Sequence, residues 1–540
     1  MTYNSGTATD YLDLLDQLIE VVTGRHMATI AMVSGGTLYV AGEILTIDNT
    51  GATQTETAQI EILTVDGGGV ILTSRIYRGG VYTVDPTNVS PNTPTGGTGS
   101  AATFTITMDA TGWSLLTRQS EATTAVVAVG GTGYTNGSTD VLTVVGGVLA
   151  AQGGTAATYT ATVAGGIVTS VALLSAGNYE VVPTNAVLTS VSPTGGTGCT
   201  LTVTWADRAN DTMVVLQGSA GSSTDPLVGI KTYSDLLDES NLNSVYNWAL
   251  FSFTSWSASF AMHEQPNTCK GFNTLDNGDL TASDHDGSFV PLRDFDATYP
   301  ITWWISATGR RVTVVARTED AINADYSQFS FGLLNPYGIT DELPYPAYVA
   351  GPSDRKQVWF GDQTSAYGGL SDALMISNST GGPAQVWAPE GEWLGMRNGS
   401  LGSESSTSAT YNVANTSPRT AVWPLGSQNA QATVLQQWTI AATSGFDMFD
   451  LTPVSGATEI YRTPDTGGDL FPLYPITYCQ ADSASGFFRT FGEVDGVFFL
   501  HNGGAGISSE DRITQDGVAY TIFQNGTRTG PFSFMALRED

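Results

Sequence analysis

The chain has 540 residues and carries 20 Lys plus Arg against 51 Asp plus Glu, a formal net charge of −31. Charged residues make up only 13% and hydrophobic ones 41%, so the chain is too apolar to be disordered and too sparsely charged for a coiled coil. An acidic surface repels phosphate, which excludes a nucleic-acid binder that works by neutralising the backbone.

The length allows roughly three or four domains. The opening residues lack a basic stretch followed by an apolar core, and no run of about 18 apolar residues occurs, so neither a secretory signal nor membrane insertion is expected. Cys199, Cys269 and Cys479 are odd in number and far apart, without CxxC spacing. They read as small buried hydrophobes rather than a disulfide framework.

Near the start, Tyr11, Leu14, Leu15, Leu18, Ile19 and Val22 follow the i, i+3, i+4, i+7 rule of an amphipathic helix over 7–23. Thr7 or Thr9 can cap it, Asp10 and Asp13 favour its first turn, and Gly24 is a natural stop. Its apolar stripe must be covered by the body of the protein or by another subunit.

The pattern then changes to short β-branched runs punctuated by glycine. Ala31–Ile47 resembles Ala128–Val144, with Tyr39 matching Tyr134 and Leu45 matching Leu142. Gly80–Asn88 (GVYTVDPTN) matches Gly177–Asn185 (GNYEVVPTN), and PTGGTG from Pro94 matches PTGGTG from Pro193. The slow drift in offset is what loop insertions between related strands produce, so two copies of one all-β module are predicted. Each is itself doubled: a glycine-tyrosine step, a turn and a strand occur twice, as in Tyr134–Leu142 and Tyr179–Leu188. Gly112–Ser120 and Asp211–Gly218 flank the second copy and read as strands that pair if that copy is a loop insertion.

After residue 206 the composition shifts, with nine of the 11 Trp. Tyr246, Trp248, Phe251, Phe253, Trp256 and Phe260 crowd one stretch, whose near-alternation predicts a half-buried strand. Ile301–Thr318 predicts a hairpin around Thr308-Gly309. Leu333–Tyr348 is proline-rich and is expected to end strands rather than form one. Residues 397–420 read as a long exposed loop. Strands return at Gly496–Leu500, Val518–Phe523 and Pro531–Arg538, with a turn at Asn525-Gly526.

The expected fold is mainly β: a β-sandwich or jelly-roll-like base domain with one N-terminal helix and two inserted, duplicated all-β modules. The divisions are the base helix (1–26), module 1 (27–110), a base strand (111–123), module 2 (124–206), an aromatic-rich base β-domain (207–350) and a C-terminal β region (351–540).

His26, His263, His285 and His501 occur in no metalloprotease pattern, and no nucleophile elbow or phosphate loop is present. The recurring Gly-Thr-Gly strings at 97–99, 131–133 and 196–198 read as turns. Asp276, Asp279, Asp284 and Asp286 form an acidic loop able to offer oxygen ligands to Ca²⁺, but its spacing is not that of an EF-hand, and a solvated loop is the preferred reading. Trp359, Trp387 and Trp393 can stack on sugar rings or fill a sandwich core, and the core is preferred. No catalytic, cofactor-binding or metal-ligating residue is assigned, and no enzyme activity is expected.

Several segments, in this order, carry a family likeness. They are TATDYLDLLDQLIEVV (7–22), GWSLLTR (112–118), VLQG with VGIKTYSD (215–235), YNWALFSFTSW (246–256), WWISATGRRVTVVART (303–318) and FGLLNPYGITDELPYPAYVAG (331–351). The chain closes with GEVDGVFFLHN (492–502), ISSEDRITQDGVAYTIFQN (507–525) and GPFSFMALRED (530–540). Together they resemble a group of tailed-bacteriophage virion proteins encoded among tail and neck genes. The Gly/Thr-rich modules are similar to small β-modules that decorate phage fibres. The resemblance implies a structural tail, neck or collar fibre-type subunit, made in the host cytoplasm and located in the virion. Its implied partners are other virion proteins, further copies of itself and a host surface glycan. A tailspike-type glycan depolymerase and a carbohydrate-binding adhesin are the alternative readings.

Overall fold

The computed structural model describes residues 1–137, 140–150, 154–185, 187–191, 195–208, 212–219, 225–232, 248–257, 265–269, 288–290, 300–317, 326–336, 346–350, 385–387, 393–395, 419–423, 473–482, 487–500, 508–524 and 534–539. The protein is mainly β, with one helix among the described residues.

That helix spans Tyr11–Thr23 and buries Leu14, Leu15, Leu18, Ile19, Val21 and Val22 in the largest core of the protein. Its cap is Asp10 rather than Thr7 or Thr9. The Asp10 carboxylate accepts the Leu12 and Asp13 backbone N–H groups, each at 2.9 Å. Thr9 instead donates its N–H to Asp13 at 2.7 Å. A carboxylate at this position satisfies orphan donors and also meets the positive end of the helix dipole. Gly24 ends the helix in an extended conformation, not the left-handed one. Glycine is needed there for close approach, since a Cβ would lie 2.6 Å from the Glu20 carbonyl oxygen.

Two antiparallel sheets build the base. One runs in the order Thr2–Ala8, Ile301–Ala307, Arg311–Arg317, Tyr326–Leu333, Ala347–Ala350, Gln385–Trp387 and Trp393–Gly395. The other runs Ser288–Val290, Trp248–Phe253, Leu227–Thr232, Met213–Gly218 and Trp113–Arg118. Edge-on ring pairs join them: Trp113 with Phe331 at 5.6 Å and Trp248 with Phe329 at 5.4 Å. The hairpin around Thr308-Gly309 forms as predicted. Trp248–Phe253 is buried at all six positions, which corrects the half-buried reading: both faces of this strand are covered. The proline-rich segment ends strand Tyr326–Leu333 as expected, but Ala347 and Tyr348 at its far end open a short strand, Ala347–Ala350, where none was expected. A third sheet holds Arg419–Trp423, Leu473–Asp482, Phe487–Leu500, Phe534–Arg538, Val518–Gln524 and Arg512–Gln515. The 397–420 loop lies almost entirely outside the described residues, as does Asn525-Gly526.

Both repeats enter and leave the base at neighbouring points. Arg25 pairs with Ala110 at the foot of the first, and Ser120 pairs with Asp207 at the foot of the second. Trp113–Arg118 and Met213–Gly218 pair antiparallel across the second repeat, as their flanking positions predicted.

The two repeats share one architecture. Opening strands Arg25–Thr37 and Ser120–Thr132 pair with closing strands Ser100–Ala110 and Thr197–Asp207. Bulges fall between Met27/Thr29 and Met32/Ser34 in one, and between Ala122/Thr124 and Val127/Val129 in the other. Every one of these positions is displaced by the same 95 residues, since 122 − 27 and 127 − 32 both equal 95. The cores match too: Tyr39, Leu45, Ala58, Tyr82 and Phe104 occupy the places of Tyr134, Leu142, Ala157, Tyr179 and Leu201.

The internal doubling takes the form of a pseudo-twofold. In the second repeat six strands lie in the order Ser120–Thr132, Thr197–Asp207, Val187–Val191, Val141–Val144, Thr158–Ala164 and Ile167–Ser175. Exchanging the half before residue 165 with the half after it maps this order onto itself. The Ala122 N–H donates to the Ala176 carbonyl at 2.9 Å and the Tyr134 N–H to the Gly166 carbonyl at 3.1 Å. The sheet therefore rolls up until its first and last strands lie side by side.

Tyrosine rings lock these rolls. Tyr39 covers Gly99 and Tyr134 covers Gly196, so closely that a Cβ on either glycine would sit 2.4 Å from a ring carbon. Tyr82 accepts the Ala58 N–H at 2.8 Å, and Tyr179 accepts the Ala157 N–H at 2.9 Å. Of the recurring Gly-Thr-Gly strings expected as turns, only 97–99 lies at a bend; residues 131–132 end strand Ser120–Thr132 and residues 197–198 open strand Thr197–Asp207.

Candidate interaction surface of the second module

The two repeats share a backbone but differ in what their outer faces touch. In the first, Glu61 on strand Gln59–Val65 accepts Arg75 at 2.8 Å and, from the third sheet, Arg512 at 2.7 Å. Arg512 also donates two hydrogen bonds to Glu539, at 2.9 and 2.7 Å. Its guanidinium lies 4.8 Å from the centre of the Tyr77 ring, a cation–π distance. Charge-assisted bonds, one of them to a nearly buried carboxylate, hold this joint more firmly than a surface ion pair would. Glu61→Gln removes the charge shared by two arginines and is expected to lower stability by about 1–2 kcal/mol. Urea denaturation of the intact protein checks this.

The second repeat lacks every member of that joint. The shared register places Thr160 where the first has Glu61, and Ala172 where it has Arg75. Glu61 pairs with Arg75, and Thr160 with Ala172. On the same register Leu174 stands in the place of Tyr77.

The outer surface of the second repeat is correspondingly uncharged. Between residues 122 and 206 the only ionisable carboxylates are Asp140 and Glu180, and these are 2% and 7% exposed. Large apolar side chains stand outward instead. Val126 and Val129 on the opening strand and Ile167, Leu173 and Leu174 on the middle strand are all exposed, Val126 at 65% and Leu174 at 57%. The opening and middle strands lie side by side along the seam of the roll, with Leu173 set opposite the buried Tyr159 across the neighbouring pair. Sequence reasoning noted the Gly/Thr bias but missed this uncharged surface. The signal was present, as a stretch of some 85 residues with two carboxylates in a chain of net charge −31.

The residues singled out from sequence have separate fates. Asp276, Asp279, Asp284 and Asp286 lie outside the described residues, as do His263, His285, His501 and Trp359. His26 is buried between the first repeat and the base, with Nδ1 3.5 Å from the Thr111 hydroxyl. Trp393 is a core residue whose Nε1 donates to the Asn267 carbonyl at 2.7 Å, and Trp387 packs beside it at 5.5 Å. Neither stands out as a free stacking platform. Cys199 and Cys269 are buried free thiols, and burial pushes the Cys199 thiol up from its ordinary range. No cluster able to hold a metal ion is found among the described residues. None of their helices is long and apolar enough to cross a membrane.

Comparison with known proteins adds no family: no protein-family model matches the chain, and neither does any characterised protein in the search.

Proposed function

We propose that this chain is a structural subunit of a tailed-phage virion, a tail, neck or collar appendage that displays its two repeats outward from a base. The observation that carries the reading is the mounting of two copies of one internally doubled β-roll as insertions in an aromatic-rich sandwich. Both ends of each roll meet at its foot, so the rolls add surface without interrupting the base sheets. The order of the helix, hairpin and C-terminal segments, which resembles phage virion proteins, supports the same reading. The surface chemistry of the rolls, rich in Thr, Ser, Gly and Ala, suits recognition or covering rather than covalent catalysis.

Mass spectrometry of purified particles tests this. The expected result is the chain in particles at a fixed stoichiometry to other virion proteins, with labelled chain imaged at one location on the tail or neck. Its absence from particles, or clearance of capsular polysaccharide by the purified protein, overturns the proposal.

A further inference from the structure

We propose that the free end of the first repeat, at Leu38 and Val40, is the contact point for a protein of the host surface that offers an apolar pocket with a basic rim. This rests on the reading of the chain as a virion appendage, and adds to it the point and the chemistry of attachment.

The free end lies opposite the foot. Strands Arg25–Thr37 and Ser100–Ala110 run from the Arg25–Ala110 pair at the base to the Thr37–Ser100 pair, so outward display presents that end first. Its backbone passes through two left-handed positions, Leu38 at φ 66° and Ala101 at φ 65°. The matching positions of the second repeat are Gly133 and Gly198, at φ 81° and 78°. Glycine suits such a turn, because a Cβ is strained in the left-handed region. The first repeat carries that strain twice, and Leu38 packs little in return, being 69% exposed. Val40, where the second repeat has Thr135, is 56% exposed, while Tyr39 between them is buried. The chain here alternates out, in, out, with two aliphatic side chains in water around an anchored ring. Strain kept without packing in return points to function rather than to folding.

The surroundings select the partner. Asp66 accepts the Gly68 and Val70 N–H groups, both at 2.8 Å, in the turn whose Gly68 carbonyl accepts the Leu38 N–H at 3.2 Å. Glu43 accepts the Val40 N–H at 3.0 Å and the Thr98 N–H at 2.9 Å. These bonds, that from Val40 first, hold its carboxyl below the usual carboxylate range. No Lys or Arg occurs between Arg25 and Arg75. An aliphatic point beside two carboxylates is repelled by anionic lipid and by a second copy of so acidic a chain. It suits a sugar poorly, since its ring is buried and both Glu43 oxygens are committed to backbone amides. It fits an apolar protein pocket edged with Lys or Arg.

Binding of fluorescently labelled full-length protein to intact host cells tests the proposal. The expected binding is saturable, weakens as salt screens the attraction, is lost on cells shaved with protease and persists on cells whose glycans are oxidised with periodate. Leu38→Gly and, separately, Val40→Thr install the residues of the second repeat, and each is expected to weaken binding at least about tenfold. The melting temperature of Leu38→Gly is expected not to fall, because glycine relieves the left-handed strain, so its loss of binding is not a loss of folding. Val126→Thr, on the second repeat, is the control and leaves binding intact. Binding kept by both variants of the free end, binding to shaved cells, or loss on periodate-treated cells overturns the proposal. A chain that is present in particles but does not bind cells overturns it too, whereas absence from particles overturns the virion reading beneath it.

Discussion

Trp303→Ala is expected to lower the stability of the protein by about 4 kcal/mol, within the range for emptying a buried indole site. Trp303 is 1% exposed and lies in the second strand of the seven-stranded sheet. Three elements meet on it. Its Nε1 donates to Gln17 Oε1 of the helix at 2.7 Å. Gly6 of the N-terminal strand lies flat against it, where a Cβ would be 2.6 Å from the ring. Gln17 in turn donates to the Thr7 carbonyl at 2.9 Å and to Asp13 at 3.0 Å. Removing the indole thus leaves a cavity and strips the Gln17 carbonyl of its donor. Trp303→Phe keeps most of the ring and loses only the donor, so it is expected to cost about 1–2 kcal/mol. Gly6→Ala attacks the contact from the other side by forcing a methyl into the ring. Urea unfolding of the three variants checks the order. Equal losses for Trp303→Phe and Trp303→Ala would show that the hydrogen bond, not the packing, holds the junction.

This junction also shows what the sequence could and could not reveal. The helix and the Ile301–Thr318 hairpin were legible because their apolar residues recur at helical and strand periods. Strand Thr2–Ala8 was not. Its sequence, TYNSGTA, has no alternation, and its partner lies some 300 residues away, Thr2 facing Ala307. Its strand state comes from that pairing and from the indole above Gly6, not from local preference. The repeats were legible for the opposite reason: the glycines and tyrosines that build each corner are fixed by backbone geometry, so they survive where other side chains change. The different dressing of the two seams was harder to see, because it requires knowing which residues of aligned strands point outward. The acid loop from Asp276 and the tryptophan at 359 remain expectations of the sequence alone.

Two buried groups in the first repeat are expected to give opposite pH dependences that nearly cancel in the native protein. Burial above all, with a smaller contribution from the N-terminal ammonium and despite Asp109, pushes His26 down to about 4. Its ordinary value is 6.5, so the unfolded chain takes up the proton first. The stability that His26 contributes is present above pH 6.5 and is lost as pH falls through about 4. Glu56 behaves in reverse. Burial, aided by Glu20 and opposed by Arg78, pushes its carboxyl up from 4.5 to about 7. Its contribution is present below pH 4.5 and is lost as pH rises through about 7. A shift of this size corresponds to about 3 kcal/mol for the nearly enclosed histidine. For the half-buried carboxylate, which water partly screens, it corresponds to about 2 kcal/mol. The two windows overlap, so one loss is gained back as the other develops. Single substitutions separate them. Relative to the native protein, Glu56→Gln is expected to gain stability between pH 4.5 and 7, because it no longer has a carboxylate to ionise in a desolvated site. His26→Gln is expected to gain relative stability between pH 6.5 and 4, because it has no imidazole to protonate. Urea midpoints of the two variants and the native protein, taken at several pH values, give these differences directly, and other titrating groups cancel from them. A Glu56→Gln difference that does not change with pH would mean that Glu56 ionises as readily folded as unfolded. The first repeat would then sit more openly on its base than the contacts of Gly6 and Asn4 indicate. Both residues lie on that mounting face, Gly6 within 3.2 Å of Glu56 as judged from its Cβ position, and Asn4 donating to the Gly80 carbonyl at 3.4 Å.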